Sequence, residues 1–141
     1  MKKIEIIQNS AQLKKLYSSN TRHKILFNIL NSCKNYIYSY PAYNYRSDIN
    51  SSAETINMFI FINNYFYGSC HEVTFYVKYI LSLHHIKSKI IHMNNLKGLS
   101  HLALEVIINN QKIFVDPTLG YYFYKKKNEM LSLKQLKEFI N

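Results

Sequence analysis

Long apolar runs are missing from this chain. Its most hydrophobic stretch, Met58-Phe59-Ile60-Phe61-Ile62, stops at Asn63-Asn64, far short of the roughly 20 residues that a membrane helix needs. The start, Met1-Lys2-Lys3-Ile4-Glu5, carries charge but no apolar signal region or small-residue cleavage site, so the cytoplasm is the expected compartment. Cysteine is scarce. Cys33 and Cys70 are the only two, and they lack the short spacing that frames a zinc site or a redox pair. In a reducing compartment both are expected to be free thiols.

Acidic residues are also few, 8 against 18 Lys and Arg, for a net charge of +10. Such a balance favours nucleic acid, anionic surfaces or acidic substrates. Yet Lys, Asn, Ile and Tyr are all abundant together, which reads as compositional bias as much as a shaped surface, and the lysines are dispersed. The one run of three, Lys125-Lys126-Lys127, is read as a solvated loop. Repeats and low-complexity tails are absent. At 141 residues the chain fits one domain with its own core.

Residues 10–17, with Ala11, Leu13 and Leu16 as apolar positions, predict a short helix opened by Ser10. Thr21 predicts the cap of a second, in which Ile25, Leu26, Ile29, Leu30 and Cys33 recur at helical spacing. Cys33 is therefore expected in the core. Residues 36–45, rich in tyrosine and containing Pro41, read as an irregular connection. Without a glycine-rich or basic frame, these aromatics are read as packing and not as base recognition. Residues 51–66 predict a helix that Gly68 ends.

A further helix is expected over 69–85, with Val73, Tyr76, Val77, Ile80 and Leu81 as its buried stripe. Cys70 stands on that stripe in the first turn. The period then changes to two, predicting strands at 89–93, 99–108 and 111–116. Asn109-Asn110 is a two-residue hairpin signal, because asparagine tolerates positive φ. Pairing Ile108 with Gln111 puts Ala103 opposite Asp116 and makes His101 its diagonal neighbour, roughly 7 to 8 Å away between α-carbons. The opposite face carries Leu102, Leu104, Val106, Ile108, Ile113 and Val115, a core surface. Residues 121–127 are ambiguous, and 131–140 predict a closing helix.

Together these residues suggest thiol chemistry. A helix N-terminus stabilises a thiolate through unpaired N–H groups and the local dipole, and Cys70 is placed for that. A histidine serves as proton acceptor, and an acid on its other nitrogen fixes the tautomer; His101 and Asp116 fit those roles. The Cys70 backbone N–H is the first candidate donor to an oxyanion, and Asn63, Asn64 or Tyr65 could add a side-chain donor. Each residue alone has a blander reading: Cys70 as a small buried hydrophobe, His101 as a core histidine, Asp116-Pro117-Thr118 as a turn. Their joint placement carries the hypothesis.

The order Gly68-Ser69-Cys70, then His101-Leu102-Ala103-Leu104-Glu105-Val106, then Phe114-Val115-Asp116-Pro117-Thr118 resembles the transglutaminase-like superfamily of cysteine enzymes, within the wider papain-like group. The likeness spans residues 56–120. It implies an α+β, papain-like fold with N-terminal helices and a central Cys-bearing helix packed on a small antiparallel β-sheet. By the same likeness Cys70 is nucleophile, His101 base and acid, and Asp116 its orienting partner. No cofactor is implied. The implied substrate is a peptide or protein amide, released from the enzyme to water or to an amine. The aromatic common two residues after the histidine is Ala103 here, which implies a differently shaped cleft. Glu105 matches the family's acidic position and is read as structural. Residues 1–45 lie outside the likeness and are the candidates for substrate choice.

Two other classes compete. A metal site is disfavoured because Cys70 and His84, 14 residues apart on one helix, stand roughly 21 Å apart along its axis. His71 points away from the Cys70 stripe. The second alternative is a catalytically silent papain-like module whose basic, Tyr-rich surface binds an acidic protein or, less favoured, nucleic acid.

Overall fold

The computed structural model describes residues 9–34, 37–38, 67–68, 70–94, 97–98, 100–126 and 129–140. The first helix, α1 (Ser10–Leu16), is capped one residue earlier than expected: the Asn9 side chain accepts from the Gln12 N–H at 2.9 Å. A single turn of it reaches the core. Leu13 and Tyr17, four residues apart, are buried, whereas Ala11 and Leu16, expected inside, face solvent. The second helix, α2 (Arg22–Cys33), begins at Thr21, whose Oγ1 accepts from the Lys24 N–H at 3.1 Å. Its residues Ile25, Leu26, Ile29, Leu30 and Cys33 are all buried, as spacings of three and four along one face require.

Residues 36–45 are not wholly irregular. Strand β1 (Ile37–Tyr38) pairs in parallel with β2 (Tyr67–Gly68), so Gly68 lies in extended backbone. A two-residue parallel ladder is too short to leave any alternation in sequence, which is why it was illegible. The helix expected over 51–66, the run Met58–Ile62 within it, and residues 41–45 lie outside the described residues.

Helix α3 (Cys70–Leu83) buries Val73, Thr74, Tyr76, Val77, Ile80 and Leu81. It ends two residues before the expected 85. His85 turns left-handed, with φ 56. The Ile86 N–H then bonds the Leu81 carbonyl and the His85 N–H bonds the Ser82 carbonyl, the paired bonds of a Schellman close. Buried Ile86 packs in the same core as Leu81.

His84 is half-buried at this end, its Nε2 enclosed and without a hydrogen-bond partner. Desolvation holds its pKa below the ordinary 6.5; a hydrogen bond to the Lys14 backbone opposes this, and charge on Lys14 and His85 reinforces it. The folded protein therefore binds fewer protons here than the unfolded chain. Stability is complete above the unfolded value and declines as pH falls through it. Urea midpoints measured from about pH 8 down to about pH 5 should fall less in His84→Gln than in the wild type. Parallel curves for the two proteins would contradict this account.

The sheet has the order β3-β4-β5-β6, with β3 (Lys87–Asn94), β4 (Ser100–Ile108), β5 (Gln111–Asp116) and β6 (Tyr121–Tyr122), all antiparallel. Strand β3 is longer than the expected 89–93 because every residue from Lys87 to Asn94 has a partner on β4. It forms one edge, with Lys87 and Lys89 exposed, and charged side chains disfavour pairing with another chain. Asn109 and Asn110 take φ 51 and 62, the conformation of a type I′ turn. Ile108 faces Gln111, and the register runs through to Leu104 opposite Val115.

One face of this hairpin, Leu104, Val106, Ile108, Ile113 and Val115, packs with α1, α2 and α3 in a continuous core. The architecture is thus mixed α+β, helices on a small antiparallel four-stranded sheet. Within the helical layer, the Tyr17 hydroxyl lies 2.7 Å from that of Tyr76 and 3.1 Å from Ser32 Oγ, linking all three helices. Residues 10–33 thus supply Leu13, Tyr17, Ile25, Leu26, Ile29, Leu30 and Cys33 to the core.

The ambiguous 121–127 stretch holds β6 and then β7 (Tyr124–Lys126), which pairs with β8 (Glu129–Met130). Leu131 stays extended: its carbonyl accepts from the Phe114 N–H and its N–H bonds the Phe123 carbonyl, both at 2.8 Å. Helix α4 (Leu133–Ile140) consequently starts two residues after the expected 131. Ser132 and Gln135 cap it reciprocally, at 3.2 and 2.9 Å. Among the described residues no helix is long and apolar enough to cross a membrane.

Candidate functional site

His101 stands near the start of β4 and Asp116 at the end of β5. The turn chemistry of Asn109-Asn110 fixes which residues of the two strands meet, and it brings this pair together: His101 Nε2 lies 2.8 Å from Asp116 Oδ2. The carboxylate side chain is 12% exposed and the imidazole 34%, so the acid is enclosed while the ring remains reachable. The second carboxylate oxygen accepts from the Leu119 N–H at 3.4 Å. Because Asp116 takes Nε2, Nδ1 is the ring nitrogen left for any other partner.

The turn after Asp116 is closed by a bond from the Gly120 N–H to the Pro117 carbonyl, 3.2 Å, with Gly120 at φ 68. It returns the chain as β6, so Tyr121 pairs with Asp116. Leu119 and Tyr121 are both more than half exposed, followed by exposed Phe123 and Tyr124. Lys34 Nζ sits 5.7 Å from the Tyr121 ring centroid. This apolar border beside Asp116 comes from the stretch whose periodicity was ambiguous. Five large apolar or aromatic side chains within the six residues 119–124 were the available signal.

Cys70 is the first residue of α3 and is half-buried. It shares its face with buried Val73 and Val77, so the expected inward stripe begins with a thiol at the margin of the core. Among the described residues its Sγ makes no hydrogen bond, to His101 or elsewhere. The structure does tie the two elements: Thr74 Oγ1 donates to the carbonyl of Leu102, the residue after His101, at 3.3 Å. Cys33 differs sharply. It is 1% exposed, and burial pushes its pKa up to about 12, only partly offset by a hydrogen bond with Ser32.

Asn63, Asn64 and Tyr65 lie outside the described residues. Ala103 is fully buried. Glu105 pairs with Lys112 at 3.7 Å across the hairpin, a surface contact worth at most about 1 kcal/mol. His71 packs on Phe75, with ring centroids 4.7 Å apart. Among the described residues no group of three or more His, Cys, Asp or Glu is placed to hold a metal ion. A polar cleft of about 490 Å³ between β5, β8 and α4, edged by Lys112, Ser132, Gln135 and Glu138, contains none of Cys70, His101 or Asp116.

No protein-family model, curated protein or solved structure matches the chain.

Proposed function

We propose that the protein is a transglutaminase-like, papain-like cysteine enzyme that cleaves or transfers the acyl group of a peptide-like amide through Cys70, His101 and Asp116. The observation that carries this reading is the 2.8 Å pair of His101 and Asp116, formed by strands against which the Cys70 helix packs. In the reaction, the Cys70 thiol proton passes to His101 Nδ1 as Sγ bonds the amide carbon. The Cys70 backbone N–H is the first donor to the resulting oxyanion. Collapse breaks the C–N bond, and the leaving amine takes the proton from His101. Water or a second amine then attacks the thioester, gives its proton to His101, and releases the acid or new amide as Sγ is reprotonated. Asp116 accepts from Nε2–H throughout and stabilises the imidazolium.

The test is a panel of peptide amides and esters, with and without hydroxylamine as acceptor, followed by intact-mass detection of an acyl adduct on Cys70. Turnover and adduct are expected in the wild type and absent in Cys70→Ala. Turnover that survives Cys70→Ala would overturn the mechanism.

The net charge of +10 favours a second reading, a silent module for an acidic protein or nucleic acid. Salt-sensitive retention on a nucleic-acid column, unchanged in Cys70→Ala, together with an inert thiol, is the result expected of it.

A further inference from the structure

Thr74 lies one helical turn after Cys70 and is fully buried. A threonine inside a helix ordinarily bonds the carbonyl four residues back or points to solvent. Here its hydroxyl leaves the helix and donates to the Leu102 carbonyl, 3.3 Å away.

The hairpin explains why that carbonyl is available. A two-residue loop makes Ile108 and Gln111 a mutually hydrogen-bonded pair, so bonded pairs recur at every second residue, at Val106 with Ile113 and Leu104 with Val115. The next pair in the series would join Leu102 to position 117. Pro117 has no N–H to donate. The ladder stops at Leu104 and Val115, and the Pro117 carbonyl turns instead to the Gly120 N–H. Leu102 is 6% exposed, so its carbonyl would otherwise lack a partner in a buried position.

We propose that Thr74 is a positioning residue: the proline that ends the His101 hairpin frees a carbonyl, and the hydroxyl one turn beyond Cys70 takes it, fixing the thiol helix against the imidazole strand. This rests on the thiol–imidazole reading above. Asp116-Pro117 then has two roles in one dipeptide. The acid orients the ring, and the missing N–H leaves the docking point for the thiol's helix.

The test measures alkylation of Cys70 by iodoacetamide at neutral pH, well below the unfolding midpoint, by peptide mass mapping of the full chain. Thr74→Val should slow Cys70 about tenfold, since small misplacements of reacting groups cost that much or more. Thr74→Ser should restore the rate. Thr74→Val combined with Pro117→Ala restores an N–H opposite Leu102; it should recover the thermal midpoint but not the Cys70 rate. It also provides a folded background if Thr74→Val alone does not fold. A wild-type rate in Thr74→Val, or joint recovery of rate and midpoint in the double variant, would show that the bond serves stability alone. If wild-type Cys70 labelling is indifferent to His101→Ala, the thiol–imidazole reading fails first and the positioning role with it.

Discussion

Treated with iodoacetamide near neutral pH, the folded protein should acquire its label on Cys70, with Cys33 slower by about a thousandfold or more. Thiolate is the reactive species, and burial moves Cys33 from 9.0 to about 12. Three units correspond to about a thousandfold less thiolate than an ordinary thiol holds. With 1% of its surface exposed, Cys33 also has no approach for the reagent, so its labelling awaits local unfolding. Cys33 is therefore an internal reference within the same molecule. The catalytic reading adds a dependence on His101. On that reading His101→Ala should slow the labelling of Cys70 and leave that of Cys33 unchanged. Asp116→Ala should act in the same direction by releasing the ring. Asp116→Asn should cost less, because it keeps an acceptor for Nε2–H while losing the charge. Slow, equal labelling of both thiols that ignores His101→Ala would rule out thiol catalysis.

Gly120→Ala should destabilise the fold by about 2 to 5 kcal/mol, adding the cost of a left-handed non-glycine residue to that of overpacking. Gly120 sits at φ +68, and a Cβ there would lie 2.5 Å from the Leu30 carbonyl oxygen and 2.6 Å from Lys34 Cγ. The lysine side chain can move, but the Leu30 carbonyl belongs to α2 and cannot withdraw without disturbing the helix. Gly98 is the control. It has φ +75 with nothing within 4 Å of the added carbon, so Gly98→Ala should lose only the conformational part, about 1 to 2 kcal/mol. Urea denaturation with unchanged slope separates the two. Similar small losses at both positions would mean that the turn beside Asp116 can lift off α2.

The hairpin was the most legible part of the molecule. Asn109-Asn110 dictates the turn, the turn dictates the register, and alternation dictates the faces, so the meeting of His101 with Asp116 follows from local rules alone. Helices α2 and α3 were legible for the same reason, their buried residues recurring at three and four. What sequence could not provide was whatever depends on distant partners. The β1–β2 ladder is two residues long and joins segments far apart in the chain. Leu131 is held extended by bonds to Phe114 and Phe123, which delays α4 against the local preference of its own sequence. Thr74, outside the stripe that helical spacing predicts, is nevertheless fully buried. Its purpose emerges only once Pro117 is seen to leave Leu102 unpaired.

The hairpin also has a bearing on folding. His101 and Asp116 are 15 residues apart on strands joined by a two-residue turn, so their contact forms when the hairpin zips, an event of about 1 to 10 μs in isolated hairpins. Helix α3, which carries Cys70, joins the hairpin only when the helical layer docks, a step of longer range and hence slower. The His101–Asp116 contact can thus exist before helix α3 docks, so a nascent or partly opened chain would hold this pair while Cys70 stayed apart.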